Sequence, residues 1–333
     1  MERSDAPPST APSGSSRPAA SVPPLASGVL DTVGGTPLVP LPDFSRPDAA
    51  DIYLKLEYFN PTGSHKDRMA RSMVEQAEAR GDLRPGMTVV EYTGGSTGSA
   101  LAFVCAARGY RLRIVSADAF AREKIQTMRA LGAEVELLEA GDGGITGELM
   151  ERMIQRAKEL AGEPETYFTD QFRNRDALEG YRVLGREIAD QMDRPVDGLC
   201  AAVGTAGMLM GCAAGIRDGG AAPRVVALEP AEAAAITGEG GGSHGVEGVG
   251  VGFVPPLLDR EACHAVWTVE EAEARETARE LARRTGILAG TSTGMNLAGA
   301  RRLAREIGAG GAVVTMACDT GLKYLAGTLF REG

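Results

Sequence analysis

Asn60-Pro61-Thr62-Gly63-Ser64-His65-Lys66-Asp67-Arg68 is the stretch on which the reading of this chain turns. It follows Ile52–Glu57, where Ile, Leu and Leu alternate with Tyr, Lys and Glu, the period of a half-buried strand. It opens a helical run, because Met69, Met73 and Val74 recur at helical spacing and Gly81 closes the segment. Pro61 and Gly63 mark a sharp turn between the two. Ser64 is the candidate N-cap, with Asp67 in the first turn. Lys66 therefore falls beside the positive end of a helix dipole, which disfavours a cation. The position suits a lysine that must lose its charge, either to act as a base or to form a Schiff base. The plain alternative is a solvated lysine, and the rest of the chain decides between them.

The 333 residues suffice for two domains with real cores. A net charge of -10 argues against nucleic acid or an anionic membrane as the main partner, since both require a basic footprint. The five cysteines (Cys105, Cys200, Cys212, Cys263 and Cys318) are scattered, mostly inside apolar runs. Reduced thiols in a cytoplasmic protein are expected. Neither they nor His65, His244 and His264 have the spacing of a metal site, so no metal is expected. No apolar stretch is long enough to cross a membrane as a helix. Residues 1–28, dominated by Ala, Pro, Ser and Gly, read as a disordered N-terminal tail.

Beyond the tail, extended runs alternate with helical ones. Strands are expected at Met87–Glu91, Leu112–Ser116, Glu134–Leu138, Gly198–Val203, Val225–Glu229 and Ala312–Met316. Helices are expected at Thr97–Arg108, Ala121–Leu131, Ile145–Ala161, Ala177–Met192, Gly207–Ile216, Glu270–Thr285 and Gly294–Ile307, with a last helical turn or two over Gly321–Leu329. The alternation predicts an α/β fold with mostly parallel sheets. Ligands in such sheets bind beyond the carboxyl ends of the strands.

Glycine-rich breaks fall at such ends. Thr93-Gly94-Gly95-Ser96-Thr97-Gly98 follows a strand and leads into a helix, offering bare amides and hydroxyls to a carboxylate or phosphate. Gly204-Thr205-Ala206-Gly207-Met208 repeats the design, without the Gly-Lys-Ser/Thr ending of a Walker loop or the glycine spacing of a dinucleotide fingerprint. A single phosphate fits it best. Gly290-Thr291-Ser292-Thr293-Gly294 places hydroxyl donors before another helix, and also reads as a plain capping sequence. Gly245–Phe253 reads as a backbone wall against a ligand, or as a flexible loop.

One lysine at a helix start, two anion cradles and a hydroxyl turn suit a phosphorylated aldehyde cofactor sharing a cleft with an amino-acid carboxylate. Here the sequence resembles the cysteine synthase/cystathionine β-synthase family, the fold type II pyridoxal 5'-phosphate enzymes. The resemblance runs in order through Gly35-Thr36-Pro37-Leu38, Asn60-Pro61…Lys66-Asp67-Arg68, Asp170-Gln171-Phe172, the loop after Val203, Gly245–Phe253, Gly286–Gly290 and Asp319-Thr320-Gly321.

The resemblance implies two three-layer α/β/α domains with the active site between them. Residues 29–59 and 171–333 would form the larger, cofactor-binding domain, and residues 60–170 a smaller one that closes on substrate. Lys66 would carry the cofactor as a Schiff base and serve as catalytic base. Gly204, Thr205, Ala206, Gly207 and Met208 would hold its phosphate, Ser292 would face the ring nitrogen and Ser96 the ring oxygen. Thr93, Gly94, Gly95, Thr97, Gln171 and Gly248 would bind the substrate.

The implied activity is β-replacement on serine, O-acetylserine or O-phosphoserine through an aminoacrylate, with sulfide or a thiol as nucleophile. A cytoplasmic homodimer is the implied form. β-Elimination, synthesis of a non-protein amino acid and a non-catalytic regulatory role stay open as alternatives. The chain departs from the family pattern in three places. The usual Thr-Ser-Gly-Asn-Thr reads Thr-Gly-Gly-Ser-Thr, Met208 replaces a phosphate-loop threonine, and Thr293 and Met295 alter the run after Ser292. These departures bear on the substrate more than on the cofactor.

Overall fold

The computed structural model describes residues 25–141, 146–238 and 242–331. Most of the expected tail lies outside the described residues, and Leu25 to Gly28 are exposed. The strands are β1 (Leu38–Pro40), β2 (Asp51–Leu56), β3 (Thr88–Tyr92), β4 (Arg111–Ala117), β5 (Glu134–Leu138), β6 (Thr166–Phe168), β7 (Gly198–Ala202), β8 (Arg224–Pro230), β9 (Ala265–Val269) and β10 (Ala312–Ala317). The helices are α1 (Lys66–Arg80), α2 (Ser96–Arg108), α3 (Arg122–Ala130), α4 (Gly147–Ala161), α5 (Asp176–Gln191), α6 (Gly207–Asp218), α7 (Glu271–Thr285) and α8 (Thr291–Ile307).

Two sheets form. One has six strands in the order β1-β2-β10-β7-β8-β9, parallel except for β1 against β2. The other has four parallel strands in the order β5-β4-β3-β6. The α/β class and the mostly parallel pairing expected from the alternation are as found.

Parallel strands need cover on both faces, and the side-chain alternation supplies it. Along β7, Leu199 and Ala201 join Leu209, Cys212 and Ile216 of α6, while Cys200 and Ala202 join Leu297, Ala300 and Leu303 of α8. In the smaller sheet, Val90 and Tyr92 pack on Leu149, Met153 and Leu160 of α4. Val89 turns to the opposite face, toward the cluster holding Leu101, Val104 and Met128. Each such side chain removed from water stabilises the fold by about 1.5–3 kcal/mol. Helices α5 and α6 cross backbone to backbone: a Cβ on Gly215 would stand 2.0 Å from the Arg182 carbonyl, and one on Gly185 2.1 Å from that of Cys212. This close crossing fixes the start of α6, and with it the loop after β7.

The differences from expectation are local. Strands β1, β6 and β9 have no counterpart among the expected strands. All three are edge strands, two of them three residues long. Helix α1 begins at Lys66 with His65 as its cap residue, so Ser64 is not the N-cap; its Oγ accepts the Lys66 N–H at 3.3 Å from one residue further out. Helix α8 begins three residues earlier than Gly294, which draws Ser292 into its first turn. Of Gly321–Leu329, only Gly321–Tyr324 is helical, as one 3-10 turn. Ile145, the expected start of α4, lies outside the described residues.

Candidate active site

The Asn60–Arg68 turn is held by buried polar groups. Asn60 Nδ2 donates to Glu57 Oε2 at 3.0 Å, and the Gly34 N–H donates to Asn60 Oδ1 at 2.9 Å. Arg68 Nε donates to Glu57 Oε2 at 2.7 Å, and its guanidinium reaches Glu187 of α5 at 2.7 Å. Asp67 accepts the Thr62 N–H at 2.7 Å, and burial pushes its carboxyl up to about 6. This network fixes the first turn of α1 and aims Lys66 inward. Burial pulls the Lys66 amine down to about 8, opposed by the charge of Asp319. Its Nζ lies 3.1 Å from Nε2 of buried His65, whose Nδ1 lies 2.8 Å from the Tyr181 hydroxyl. Burial holds His65 well below its ordinary range, so it meets Lys66 as a neutral ring. No carboxylate hydrogen-bonds Lys66 among the described residues, so burial outweighs the opposing charge of Asp319 and eases loss of its proton.

Lys66 faces two connecting cavities. The inner one is lined by Ser96, Gly204, Thr205, Ala206, Met208 and Ser292, together with Cys318 and Asp319. At its end, the loop after β7 turns through Ala206 in the left-handed region (φ 67) into α6. The amides of the first turn of α6 therefore point into the cavity end, where the helix dipole favours an anion. The Thr205 hydroxyl accepts the Gly207 N–H at 3.3 Å and keeps its own proton to donate. Gly207 is the one member of the expected cradle that lines neither cavity. A Cβ on Gly204 would stand 2.2 Å from the Gly248 carbonyl, so the two glycine loops touch backbone to backbone. Ser292 sits opposite, close enough to the Cys318 thiol to oppose the burial that pushes that thiol up to about 12.

The outer cavity, about 420 Å³, contains Thr93, Gly94, Gly95, Ser96, Thr97, Gln171 and Gly248. Thr93 Oγ1 accepts the Gly95 N–H at 3.0 Å, and the Thr93 proton and the Gly94 amide have no partner among the described residues. Thr97 spends its proton on Gln171 Oε1 at 2.7 Å, and Gln171 Nε2 donates to the Tyr92 carbonyl at 2.9 Å. The second Nε2 proton of Gln171 remains available. Behind it, buried Glu91 accepts the Gln171 N–H at 3.0 Å and the Thr169 hydroxyl at 2.7 Å; burial pushes its carboxyl up to about 8.

The site also holds residues that the sequence did not single out. Phe120, Lys124 and Glu247 line the outer cavity. Asp319 lines the inner one with Oδ1 buried and without a partner among the described residues, and with Oδ2 accepting the Tyr324 hydroxyl at 2.6 Å. The placement of Lys124 and Phe120 depends on packing between segments far apart in sequence, for which no local pattern exists. Asp319 was within reach, being part of the Asp-Thr-Gly run.

A buried amine of lowered pKa, an amide cradle on a helix end and a hydroxyl across the cavity fit the aldehyde, phosphate and ring nitrogen of pyridoxal phosphate. Residues 29–319 match the family model described as pyridoxal-phosphate dependent enzyme. This chain belongs to that family. It is a fold type II pyridoxal-phosphate enzyme, as the resemblance implied. A cysteine synthase of Staphylococcus aureus (strain Mu50 / ATCC 700699) is 37% identical over 304 residues, 91% of this chain and 96% of the relative. An O-ureido-L-serine synthase of Streptomyces lavendulae is 38% identical over 309 residues, 92% of this chain and 93% of the relative. The crystal structure of an O-ureido-L-serine synthase superposes with a TM-score of 0.84 at 38% identity, covering 93% of this chain and 98% of that one. Among the described residues, no helix is long and apolar enough to cross a membrane.

Proposed function

We propose that this pyridoxal-phosphate enzyme performs β-replacement on a serine-derived amino acid, exchanging the β-oxygen substituent for sulfide or another small nucleophile. One observation carries the reading: the Lys66 amine stands where a phosphate-type cradle and a carboxylate-type loop meet in one continuous cleft. The relatives named for cysteine and O-ureido-L-serine synthesis support it.

Pyridoxal phosphate, when bound, supplies the aldehyde that joins amines and the electron sink at the α-carbon. In our reading the α6 amides, with Thr205, hold its phosphate, Ser292 faces its ring nitrogen and Ser96 its ring oxygen. The Thr93 hydroxyl, the Gly94 amide and the free Nε2 proton of Gln171 grip the substrate carboxylate, a set of charge-assisted hydrogen bonds. Thr97 acts by orienting Gln171, and Gly95 and Gly248 by letting backbone approach. Lys66 Nζ takes the α-proton of the bound amino acid and later returns it. The neutral His65 beside it keeps a second charge away from that amine. Residues 60–170 close over the substrate and exclude water. We expect a homodimer in the cytoplasm.

A second reading keeps this chemistry and directs it to a non-protein amino acid. The absence of a side chain at Gly94 and the O-ureido-L-serine synthase relative favour it. The experiment is product analysis. Purified holoenzyme with O-acetyl-L-serine should release acetate, and adding sulfide should give cysteine by mass spectrometry. Pyruvate as the sole product in the presence of sulfide and other nucleophiles would overturn replacement in favour of elimination.

A further inference from the structure

The residues Phe120, Lys124 and Met128 stand four apart, and all three press on glycines of the Thr93–Gly98 loop. A Cβ on Gly94 would come within 2.4 Å of the Phe120 ring, one on Gly95 within 2.3 Å of Lys124 Cδ, and one on Gly98 within 2.2 Å of Met128 Sδ. The α3 segment is thus seated directly on the backbone of the loop, and the seating carries the Lys124 ammonium into the outer cavity. There its Nζ donates to Glu247 at 2.5 Å and to the Tyr324 hydroxyl at 3.1 Å. Tyr324 in turn donates to Asp319 at 2.6 Å. Lys124 has 3% of its side chain exposed and Glu247 has 23%.

The charge balance of this wall follows. Among the described residues, the outer cavity is lined by Lys66, Lys124, His244 and Glu247 as its titratable basic and acidic groups, with no arginine. The adjoining segments 142–145 and 239–241 read Asp-Gly-Gly-Ile and Glu-Gly-Gly, which contain two carboxylates and no cation. Lys66 belongs to the cofactor. His244 is occupied on both nitrogens, Nε2 lying 3.0 Å from the Gly250 carbonyl and Nδ1 accepting the Val246 N–H at 3.1 Å. Lys124 and Glu247 neutralise each other. Among the described residues, no unpaired cation lines this cavity to hold an anionic second substrate.

We propose that Lys124 and Glu247 are specificity-determining residues whose mutual neutralisation favours a small uncharged nucleophile with hydrogen-bonding capacity as the second substrate and discriminates against one bearing its own carboxylate. The proposal rests on the β-replacement reading. The balance is simple: the β-carbon–oxygen bond breaks with its electron pair leaving on the carboxylate. The nucleophile's lone pair then makes the new bond to the β-carbon, and its proton passes to solvent.

Three thiols of similar size separate the cases: 2-mercaptoethanol (neutral), mercaptoacetate (anionic) and cysteamine (cationic), each with O-acetyl-L-serine and holoenzyme. The quantity read is kcat/KM for each charged thiol relative to 2-mercaptoethanol, compared between variants so that intrinsic reactivity cancels. Glu247→Gln leaves Lys124 unneutralised and should raise the mercaptoacetate ratio about tenfold; Lys124→Gln should raise the cysteamine ratio by about the same factor. The two variants act with opposite sign, so loss of folding in one leaves the other as the test. A structural role alone would lower all three rates together. Unchanged ratios in both variants, or in the one that folds, overturn the proposal. Failure of the wild-type enzyme to release acetate from O-acetyl-L-serine would instead strike the β-replacement reading beneath it.

Discussion

Gly94→Ser, which restores the residue usual in the resembling family, is the sharpest probe of the substrate loop. The added Cβ would stand 2.4 Å from Phe120 Cε1 and 2.7 Å from Cδ1. Carbon atoms at rest keep about 3.5–4.0 Å apart, so the ring must yield by more than an ångström. Overpacking of this kind costs about 2 kcal/mol, which lowers Tm by about 4–8 °C for a domain of ordinary size. Phe120→Ala removes the obstacle. The double variant should therefore be more stable than the sum of the single changes allows, with a coupling of about 1–2 kcal/mol. It should also bind the amino-acid donor better than Phe120→Ala alone, because the new hydroxyl can reach the carboxylate. A charge-assisted hydrogen bond of about 1.5 kcal/mol corresponds to roughly tenfold in KM. Thermal unfolding and steady-state kinetics on the four proteins close the cycle. Tm changes that add without coupling would refute the seating of Phe120 on the loop.

Three further outcomes are expected. Lys66→Ala should abolish turnover, and borohydride reduction of the wild-type holoenzyme should leave a pyridoxyl label on the peptide containing Lys66; a label elsewhere would remove the basis of the mechanism. Gly204→Ala should weaken cofactor retention, because its Cβ would meet the Gly248 carbonyl at 2.2 Å; an unchanged cofactor content after dialysis would count against that contact. Burial raises the Glu91 carboxyl from 4.5 to about 8, so between those values the folded chain holds a proton that the unfolded chain has released. Stability from this group is present below pH 4.5 and lost as pH rises through 8, and Glu91→Gln should flatten that decline in urea midpoints taken across the window. An identical slope in the variant would assign the pH dependence to other groups.

Much of the site was legible because its parts are local. A turn ending in a lysine at a helix start, and small-residue loops between strand and helix, are patterns a short window contains. The inner cavity does gather Lys66, Ser96, Gly204 and Ser292 as expected. The edge strand β6 is three residues long and half-exposed, too short for a hydrophobic alternation to show. That the Thr97 hydroxyl donates to Gln171 could be read only from a contact across 74 residues of chain.

From its residues alone, the chain determined an α/β fold, the lysine that lines both cavities and the small-residue loops around it. Those features follow from backbone geometry within a few residues. Tertiary structure decided what the loops accept: which hydroxyl protons are already spent, where α3 presses on glycines, and that Lys124 and Glu247, 123 positions apart, cancel each other in the cavity wall. Charge and volume in a cleft are sums over segments that only packing brings together, and no stretch of sequence contains that sum.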